Sequence, residues 1–147
     1  MKRHIITLLA CCAFVTSAGA AELNWLTDLP KAQAVAKTGD KLVLMDFTGS
    51  DWCGWCMKLD RETFSRPEFA DYANKNLVLV QLDFPSKKPQ SAELKKANAA
   101  LAAKYHIEGY PTLIALKSDG TVVWKQVGYL KGGPAALIAK LDEAKQK

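Results

Sequence analysis

The feature that most constrains this chain is a pair of cysteines placed directly after a stretch with the character of a buried strand. Residues 41–47 (KLVLMDF) form an apolar run containing one acid, which is typical of a strand covered on both faces. A short loop, residues 48–52, follows, and then Cys53 and Cys56 stand three positions apart at the start of a segment that can be helical to about residue 62. In this context the spacing indicates a redox site.

The two cysteines are expected to have different chemical roles. Cys53 would lie at the helix N-terminus, where unpaired backbone N–H groups and the helix dipole favour an anion. Its pKa would therefore be lowered, and its thiolate would be the attacking nucleophile. Cys56 lies one turn further along, within disulfide reach, and would be more buried and protonated until needed. Trp52 and Trp55 would form an apolar rim around the exposed sulfur.

Two other interpretations of the cysteine pair are weaker. A structural disulfide that closes so short a loop removes little entropy from the unfolded chain, so it would stabilise the fold poorly. A zinc site needs four ligands, whereas residues 21–147, the chain that remains if residues 1–20 are a cleaved signal peptide, offer two thiols and the distant His106. Met57 beside Cys56 would suit Cu(I) as a soft sulfur ligand, but a methionine that follows a cysteine on a helix more often points away into packing. We therefore predict neither a metal nor another cofactor.

Asp46 is the second informative residue because it interrupts the apolar run before the cysteines. A carboxylate in a buried strand is costly unless it has a task or a partner, and burial would raise its pKa toward neutrality. It could then accept a proton from Cys56, directly or through a water molecule, as Cys56 becomes a nucleophile. The alternative is an aspartate at a strand end that reaches solvent.

The remaining pattern predicts an α/β fold, with a central mixed sheet covered by helices on both faces. After a lead-in around Trp25, the pattern gives helices and strands in alternation and a hairpin turn at Asp119-Gly120. A last helix opens at residues 132–134. The other predicted helices are 28–38, 53–62, 67–74 and 92–105, and the predicted strands are 41–47, 77–82, 112–116 and 121–127.

Residues 1–20 have the three-part pattern of a cleaved signal peptide. Lys2 and Arg3 are followed by an apolar run and then by Ala18-Gly19-Ala20. The run is short for a permanent anchor, and a lipoprotein signal ending at Cys11 would have a still shorter apolar core. Cleavage would leave one domain, residues 21–147, with Cys53 and Cys56 as its two cysteines, in a compartment where disulfides persist, the periplasm.

Several of these motifs together resemble the thioredoxin family in their order and context. The residues that carry the resemblance are Asp46-Phe47, Trp52-Cys53-Gly54-Trp55-Cys56, Tyr110-Pro111-Thr112 and Gly128. The chain is also similar to exported bacterial thioredoxin-like proteins and to the C-terminal domain of the transmembrane thiol:disulfide interchange protein. The resemblance implies a thioredoxin fold, a catalytic Cys53, a resolving Cys56 and a cis Pro111 facing the pair. It also implies that the backbone of Tyr110 pairs with bound substrate.

The sequence departs from the family pattern around the cysteines. Asp46 lies seven positions before Cys53, one more than is typical, so the loop between them carries an insertion. Gln81 stands where thioredoxins have a buried lysine near that aspartate. Gly54-Trp55 replaces the usual Gly-Pro, which tunes the redox poise. The loop around Lys87-Lys88 is a further insert, and these lysines are expected on a solvated face.

The sequence thus predicts an exported thiol-disulfide oxidoreductase that reduces disulfides in proteins or peptides. A reductase in an oxidising compartment needs electrons, which implies a membrane thiol-reductant transporter as partner. The alternatives are a dithiol oxidase or isomerase, and a thioredoxin-fold peptide-binding module with incidental redox activity. The net charge of +5 is too mild and too spread out to indicate nucleic-acid binding. We expect a monomer.

Overall fold

The computed structural model describes residues 22–146, so the predicted signal peptide lies outside the described residues. All nine predicted elements are present, with ends within about two residues of those expected. Among the described residues, no helix is long and apolar enough to cross a membrane. The elements are β1 (Trp25–Leu26), α1 (Leu29–Gly39), β2 (Leu42–Thr48), α2 (Gly54–Leu59) continued by a π-helical turn (Asp60–Phe64), α3 (Pro67–Asn76), β3 (Leu77–Asp83), α4 (Ala92–Lys104), β4 (Thr112–Leu116), β5 (Val122–Val127) and α5 (Gly133–Lys145).

Local signals in the sequence account for the ends of α1. The side chain of Asp28 caps the helix by accepting a hydrogen bond from the backbone N–H of Lys31 at 2.8 Å, and Pro30 occupies the first turn, where its missing N–H is not needed. The helix stops at Asp40, which adopts a left-handed conformation with φ of 48°. The chain then turns directly into β2.

The five strands form one mixed sheet in the order β1-β3-β2-β4-β5. β1, β2 and β3 are parallel to one another, whereas β4 and β5 are each antiparallel to their neighbours. The predicted mixed sheet is therefore confirmed. β1 was not predicted: it is a two-residue edge strand, too short to show an alternating pattern, and Trp25 in it packs edge-on against Phe64 at 5.1 Å.

Strand alternation divides the core into two parts, one on each face of the sheet. Leu42 and Leu44 of β2 pack with α3, α5 and the end of α2, whereas Val43, Met45 and Phe47 pack with α1 and α4. Because side chains alternate along a strand, Asp46 projects to the same face as Leu42 and Leu44. That face is the one on which α2 lies, since Leu59 of α2 belongs to the same core cluster.

The predicted hairpin joins β4 to β5. Gly120 adopts a φ of +92° and its N–H donates to the Lys117 carbonyl at 2.9 Å. Asp119 accepts a hydrogen bond from the N–H of Thr121 at 2.8 Å. A positive φ is readily adopted only by glycine, so the Asp-Gly pair fixes the position of the turn.

Candidate active site

The two cysteines form a disulfide at the start of α2. Cys53 is the N-cap residue, in extended conformation, and its sulfur accepts a hydrogen bond from the N–H of Cys56 at 3.2 Å. The two Cα atoms are 5.2 Å apart. Both residues are nearly buried, Cys53 with 6% and Cys56 with 4% of its surface exposed, so the expected contrast in exposure is small in the disulfide form. An N–H directed at the Cys53 sulfur is also the donor that would stabilise a thiolate there.

The loop that precedes Cys53 is held in place by hydrogen bonds to a distant segment. Asp51 accepts three backbone N–H groups, those of Ser86, Lys87 and Lys88, at 2.7–2.8 Å. These hydrogen bonds, led by that of Ser86, lower the pKa of Asp51. The inserted loop before the cysteines and the inserted loop after β3 therefore support each other.

Asp46 is buried, with only 4% of its surface exposed. The alternative of a strand-end carboxylate in solvent is therefore wrong. Burial, followed by the negative charges of Asp60 and Asp83, raises the pKa of Asp46 to about 8. One of its carboxyl oxygens, Oδ1, has no hydrogen-bond partner in the described part of the chain. The carboxyl of Asp46 is therefore mostly protonated at pH 7, and its Oδ1 is free to accept a hydrogen bond from a residue or a water molecule in the cavity.

Asp46 and Cys56 line the same cavity of about 340 Å³. The extra loop residue before Cys53 therefore does not move Asp46 away from the cysteine pair. The side chain of Gln81 faces the cavity at the position where a lysine would be expected from the family pattern. The other lining residues are Thr48, Ser50, Met57, Asp60, Asp83 and Lys88.

An aromatic group lies beside the residue that precedes Cys53. The ring of Trp52 packs edge-on against Tyr110 at 5.7 Å, and its indole N–H donates to the Phe84 carbonyl at 2.7 Å. Tyr110 also packs on the Phe84 ring at 5.2 Å, and the Tyr110-Pro111 peptide bond is cis. The cis bond agrees with what the resemblance implies for Pro111, and the ring contact brings the proline loop next to Trp52, the residue before Cys53. Trp52 remains 48% exposed at this surface.

A separate aromatic pair surrounds the residue between the cysteines. Trp55 is 58% exposed and its ring lies 5.5 Å from that of Tyr129. The ammonium group of Lys58 stands over both rings, 5.2 Å from the first and 5.0 Å from the second. The Tyr129 hydroxyl donates a hydrogen bond to Glu62, which raises the pKa of Tyr129. The expected rim of tryptophans therefore consists of two distinct groups with different partners.

Residues 29–145 match the family model described as a thioredoxin-like domain. The chain belongs to this family. The match covers every helix and strand except β1, including the elements that carry Asp46, the two cysteines and Pro111.

Individual thioredoxin-like relatives agree with this assignment. The chain is 34% identical over 125 residues to the disulfide bond reductase DsbH of Chlamydia pneumoniae, covering 85% of this chain and 74% of that protein. It is 30% identical over 108 residues to the thiol:disulfide interchange protein DsbD of Klebsiella pneumoniae, covering 74% of this chain but only 15% of DsbD. A solved structure of a DsbH oxidoreductase superposes with a TM-score of 0.81 at 30% identity, covering 95% of each chain. The predicted class, a thiol-disulfide oxidoreductase, is confirmed.

Several residues of this thioredoxin-like site were not predicted from the sequence. Asp83 and Asp60 both line the cavity, and Ser50 donates from its N–H and its hydroxyl to the Asp83 carboxylate at 2.9 and 2.6 Å. The signal for Asp83 is its spacing, because a residue two positions after Gln81 on a strand shares its face. The signal for Asp60 is its place one helical turn after Cys56.

Lys88 makes a contact that the sequence did not predict. It is exposed, as expected for a solvated face, but it also lines the Asp46 cavity. Its ammonium group donates to the Ser50 hydroxyl at 3.2 Å. Nothing local in the sequence links residues 38 positions apart, so this contact follows from the fold alone.

Proposed function

We propose that this protein is an exported reductase that transfers two electrons from its cysteine pair to disulfides in other polypeptides. The observation that carries the proposal is the Cys53–Cys56 disulfide at the start of α2, beside a buried carboxyl whose pKa is raised to about 8. A cysteine at a helix start supplies a nucleophile, and a neighbouring group that titrates near neutrality supplies the proton acceptor.

The reaction begins with the reduced protein. The Cys53 thiolate attacks one sulfur of the substrate disulfide, the substrate S–S bond breaks, and the first substrate thiol leaves with a proton from solvent. A mixed disulfide now joins Cys53 to the substrate. Cys56 then loses its proton and attacks the Cys53 sulfur, which releases the second substrate thiol. The substrate has gained two electrons, and the protein ends with the Cys53–Cys56 disulfide.

Asp46 is assigned the proton transfer in the second step. Its carboxylate accepts the Cys56 proton, directly or through water in the cavity that both residues line. A carboxyl with an ordinary pKa would be a weak base for a thiol, whereas one with a pKa of about 8 is well matched to it. Asp60 and Asp83 contribute to that match through their negative charges.

Substrate contacts are assigned to the surface around the proline loop. In this proposal the backbone of Tyr110, next to the cis peptide bond, pairs with an extended substrate segment, as the resemblance to thioredoxins implies. Trp52 and Trp55 offer exposed apolar surface next to the reacting sulfur, and Pro111 holds the loop that faces it. No cofactor is required, because the cysteines carry both electrons.

Location and electron supply complete the proposal. The signal-like pattern of residues 1–20 supports export to the periplasm. Each turnover leaves Cys53 and Cys56 as a disulfide, which has to be reduced again before the next one. A membrane thiol transporter of the DsbD type is proposed as the source of electrons. The 30% identity to a segment of DsbD supports a shared chemistry, although the chain spans a small part of that protein.

Trapping of the mixed disulfide tests the proposal. Cys56→Ser should attack substrate disulfides but accumulate as a covalent complex, because the resolving thiol is absent, whereas Cys53→Ser should form none. The reduced wild-type protein should reduce insulin disulfides, and its reduction potential should be about −200 mV or lower. A potential near that of the strong periplasmic oxidants would favour an oxidase, and Cys53→Ser protein with full activity would contradict the assignment of the nucleophile.

A further inference from the structure

A second cavity, of about 590 Å³, opens at Trp55, the residue that follows Gly54 between the two cysteines, and contains none of the groups that exchange electrons or protons in the proposed reaction. It is lined by the aromatic pair Trp55 and Tyr129 together with Lys58, Glu62 and Lys131 and the glycines at the start of α5. Trp55 stands between the two cysteines in the sequence, so this cavity adjoins the surface that any substrate must contact. The residues that line it can therefore influence which substrates the protein reduces.

The charges around this cavity are unbalanced. Lys58 and Lys131 form no ion pair within 4 Å among residues 22–146, and Arg61 lies close enough to Tyr129 to influence the pKa of the hydroxyl. The one carboxylate in the lining, Glu62, is engaged by the Tyr129 hydroxyl. Held against the two aromatic rings, the Lys58 ammonium is fixed in place while its positive charge remains available to a ligand.

From this arrangement we propose that the cavity binds an acidic side chain of the polypeptide substrate, an Asp or Glu close to the cysteine that Cys53 attacks. The inference rests on the proposed function and names the class of substrate that the site prefers. An acidic side chain suits the cavity because two unpaired ammonium groups attract it, and the aromatic rings can cover the apolar stem of the side chain.

Helix geometry limits where the acidic residue can lie. Lys58 is five positions after Cys53, which is roughly 7–8 Å along a helix axis at 1.5 Å per residue. An extended substrate advances about 3.3 Å per residue, so the acidic residue belongs within about three positions of the substrate cysteine. Binding of the acidic side chain then helps to hold the substrate cysteine in place for attack by Cys53.

A peptide series tests the inference. The substrates are disulfide-bonded peptides that carry Glu, Gln or Lys at each of the three positions on either side of one cysteine. The readout is the second-order rate constant for their reduction by the reduced wild-type protein. At low salt, Glu should exceed Gln by about three- to ten-fold at one or more positions and Lys should be slowest, and 0.5 M NaCl should reduce the difference.

Two double variants provide the matched comparison. Lys58→Met/Lys131→Met should bring the Glu-to-Gln ratio close to one. Lys95→Met/Lys96→Met removes the same charge from exposed positions of α4, away from the cavity, and should keep the wild-type ratio. Methionine is close to lysine in length and is a good helix former at positions 58, 95 and 96, and Lys131 lies in an exposed turn, so both variants should fold.

The outcomes separate this inference from the function on which it rests. Equal rates for Glu and Gln peptides, or a preference that survives in Lys58→Met/Lys131→Met, overturn the inference alone. A preference for oxidised glutathione over its uncharged ester, with none among the peptides, overturns the assignment to a polypeptide. A reduced protein that reduces no peptide overturns the reductase proposal and this inference together.

Discussion

The behaviour of Asp46 follows from its position on β2. Alternation sends the side chain to the face of the sheet on which α2 lies, and Leu44 of β2 and Leu59 of α2 on that face are fully buried. A carboxyl in such surroundings is stable as the neutral acid, which is why burial is the largest cause of its raised pKa. Asp46 is therefore protonated in most molecules below pH 8, and it can accept a proton in the molecules in which it is ionised, whose share rises through pH 8.

Substitution of Asp46 should slow the resolving step. In Asp46→Asn the amide cannot take the Cys56 proton, so we expect the mixed disulfide to be resolved about ten-fold or more slowly near pH 8. In the wild type the rate of resolution should rise with pH until Asp46 is ionised, with a midpoint near 8. Rapid acid quench of a preformed mixed disulfide between pH 6 and 9.5 measures both.

The initial attack by Cys53 serves as the internal control for that experiment. It does not require the Cys56 proton to move, so its rate should change much less than the resolving rate. If Asp46→Asn resolved the mixed disulfide with the wild-type rate and the wild-type pH profile, Asp46 would have no part in the proton transfer.

Among the elements, the pair of inserted loops is the most distinctive. Asp51 lies two residues before Cys53, and its carboxylate gathers three N–H groups from residues 35 to 37 positions away. Asp51→Ala should leave those three donors without this acceptor. We therefore expect faster hydrogen exchange at the amides of residues 86–88 and a lower melting temperature.

Asp119→Ala is the matched control for the loop experiment. Asp119 is also an aspartate in a turn that accepts a backbone N–H, but it lies in the β4–β5 hairpin. Its loss should affect exchange at Thr121 and not at residues 86–88. Unchanged exchange at residues 86–88 in Asp51→Ala would show that another contact orders that segment.

The helices and long strands could be predicted because their signals are local. The cap of Asp28, the prolines at helix starts and the apolar run of β2 each act within a few residues. The π-helical turn Asp60–Phe64 and the edge strand β1 could not be predicted, since both depend on packing, as the contact between Trp25 and Phe64 illustrates.

At the scale of the whole molecule, the site combines motifs that the sequence displays with contacts that only the fold creates. The cysteine pair and Asp46 were identifiable because each marks or breaks a local pattern, whereas Pro111 was identified through the resemblance to the thioredoxin family. Asp83 lies on β3 and Lys88 in the loop after it, and both line the Asp46 cavity. They do so because β3 pairs with β2 in a register that places Gln81 opposite Asp46. Such neighbours depend on strand pairing, which periodicity alone does not specify.

The buried carboxyl also affects the stability of the entire fold, and the sign follows from linkage. In the folded protein Asp46 keeps its proton until about pH 8, whereas in the unfolded chain it loses it near its ordinary value of 3.8. Between these values the folded state binds more protons, so the contribution of Asp46 to stability falls as pH rises, by about 1.4 kcal/mol per pH unit at most. Below pH 4 this loss is absent, and above pH 8 it no longer grows.

Asp46→Asn should therefore stabilise the oxidised protein at neutral pH while it impairs the chemistry. The amide is neutral at every pH, so the gain in the free energy of unfolding should be on the order of 4 kcal/mol at pH 7 and should disappear near pH 4. Urea unfolding of both proteins in the disulfide form at pH 4.5, 6, 7 and 8.5 measures the difference, since the bonded cysteines do not titrate. A gain independent of pH would mean that Asp46 is ionised in the folded state with an ordinary pKa, so that it would be too weak a base to take the Cys56 proton. A gain that grows from pH 4.5 to 8 would mean that Asp46 lowers the free energy of unfolding of the wild-type protein, and that the proton acceptor beside the cysteines is kept at that cost.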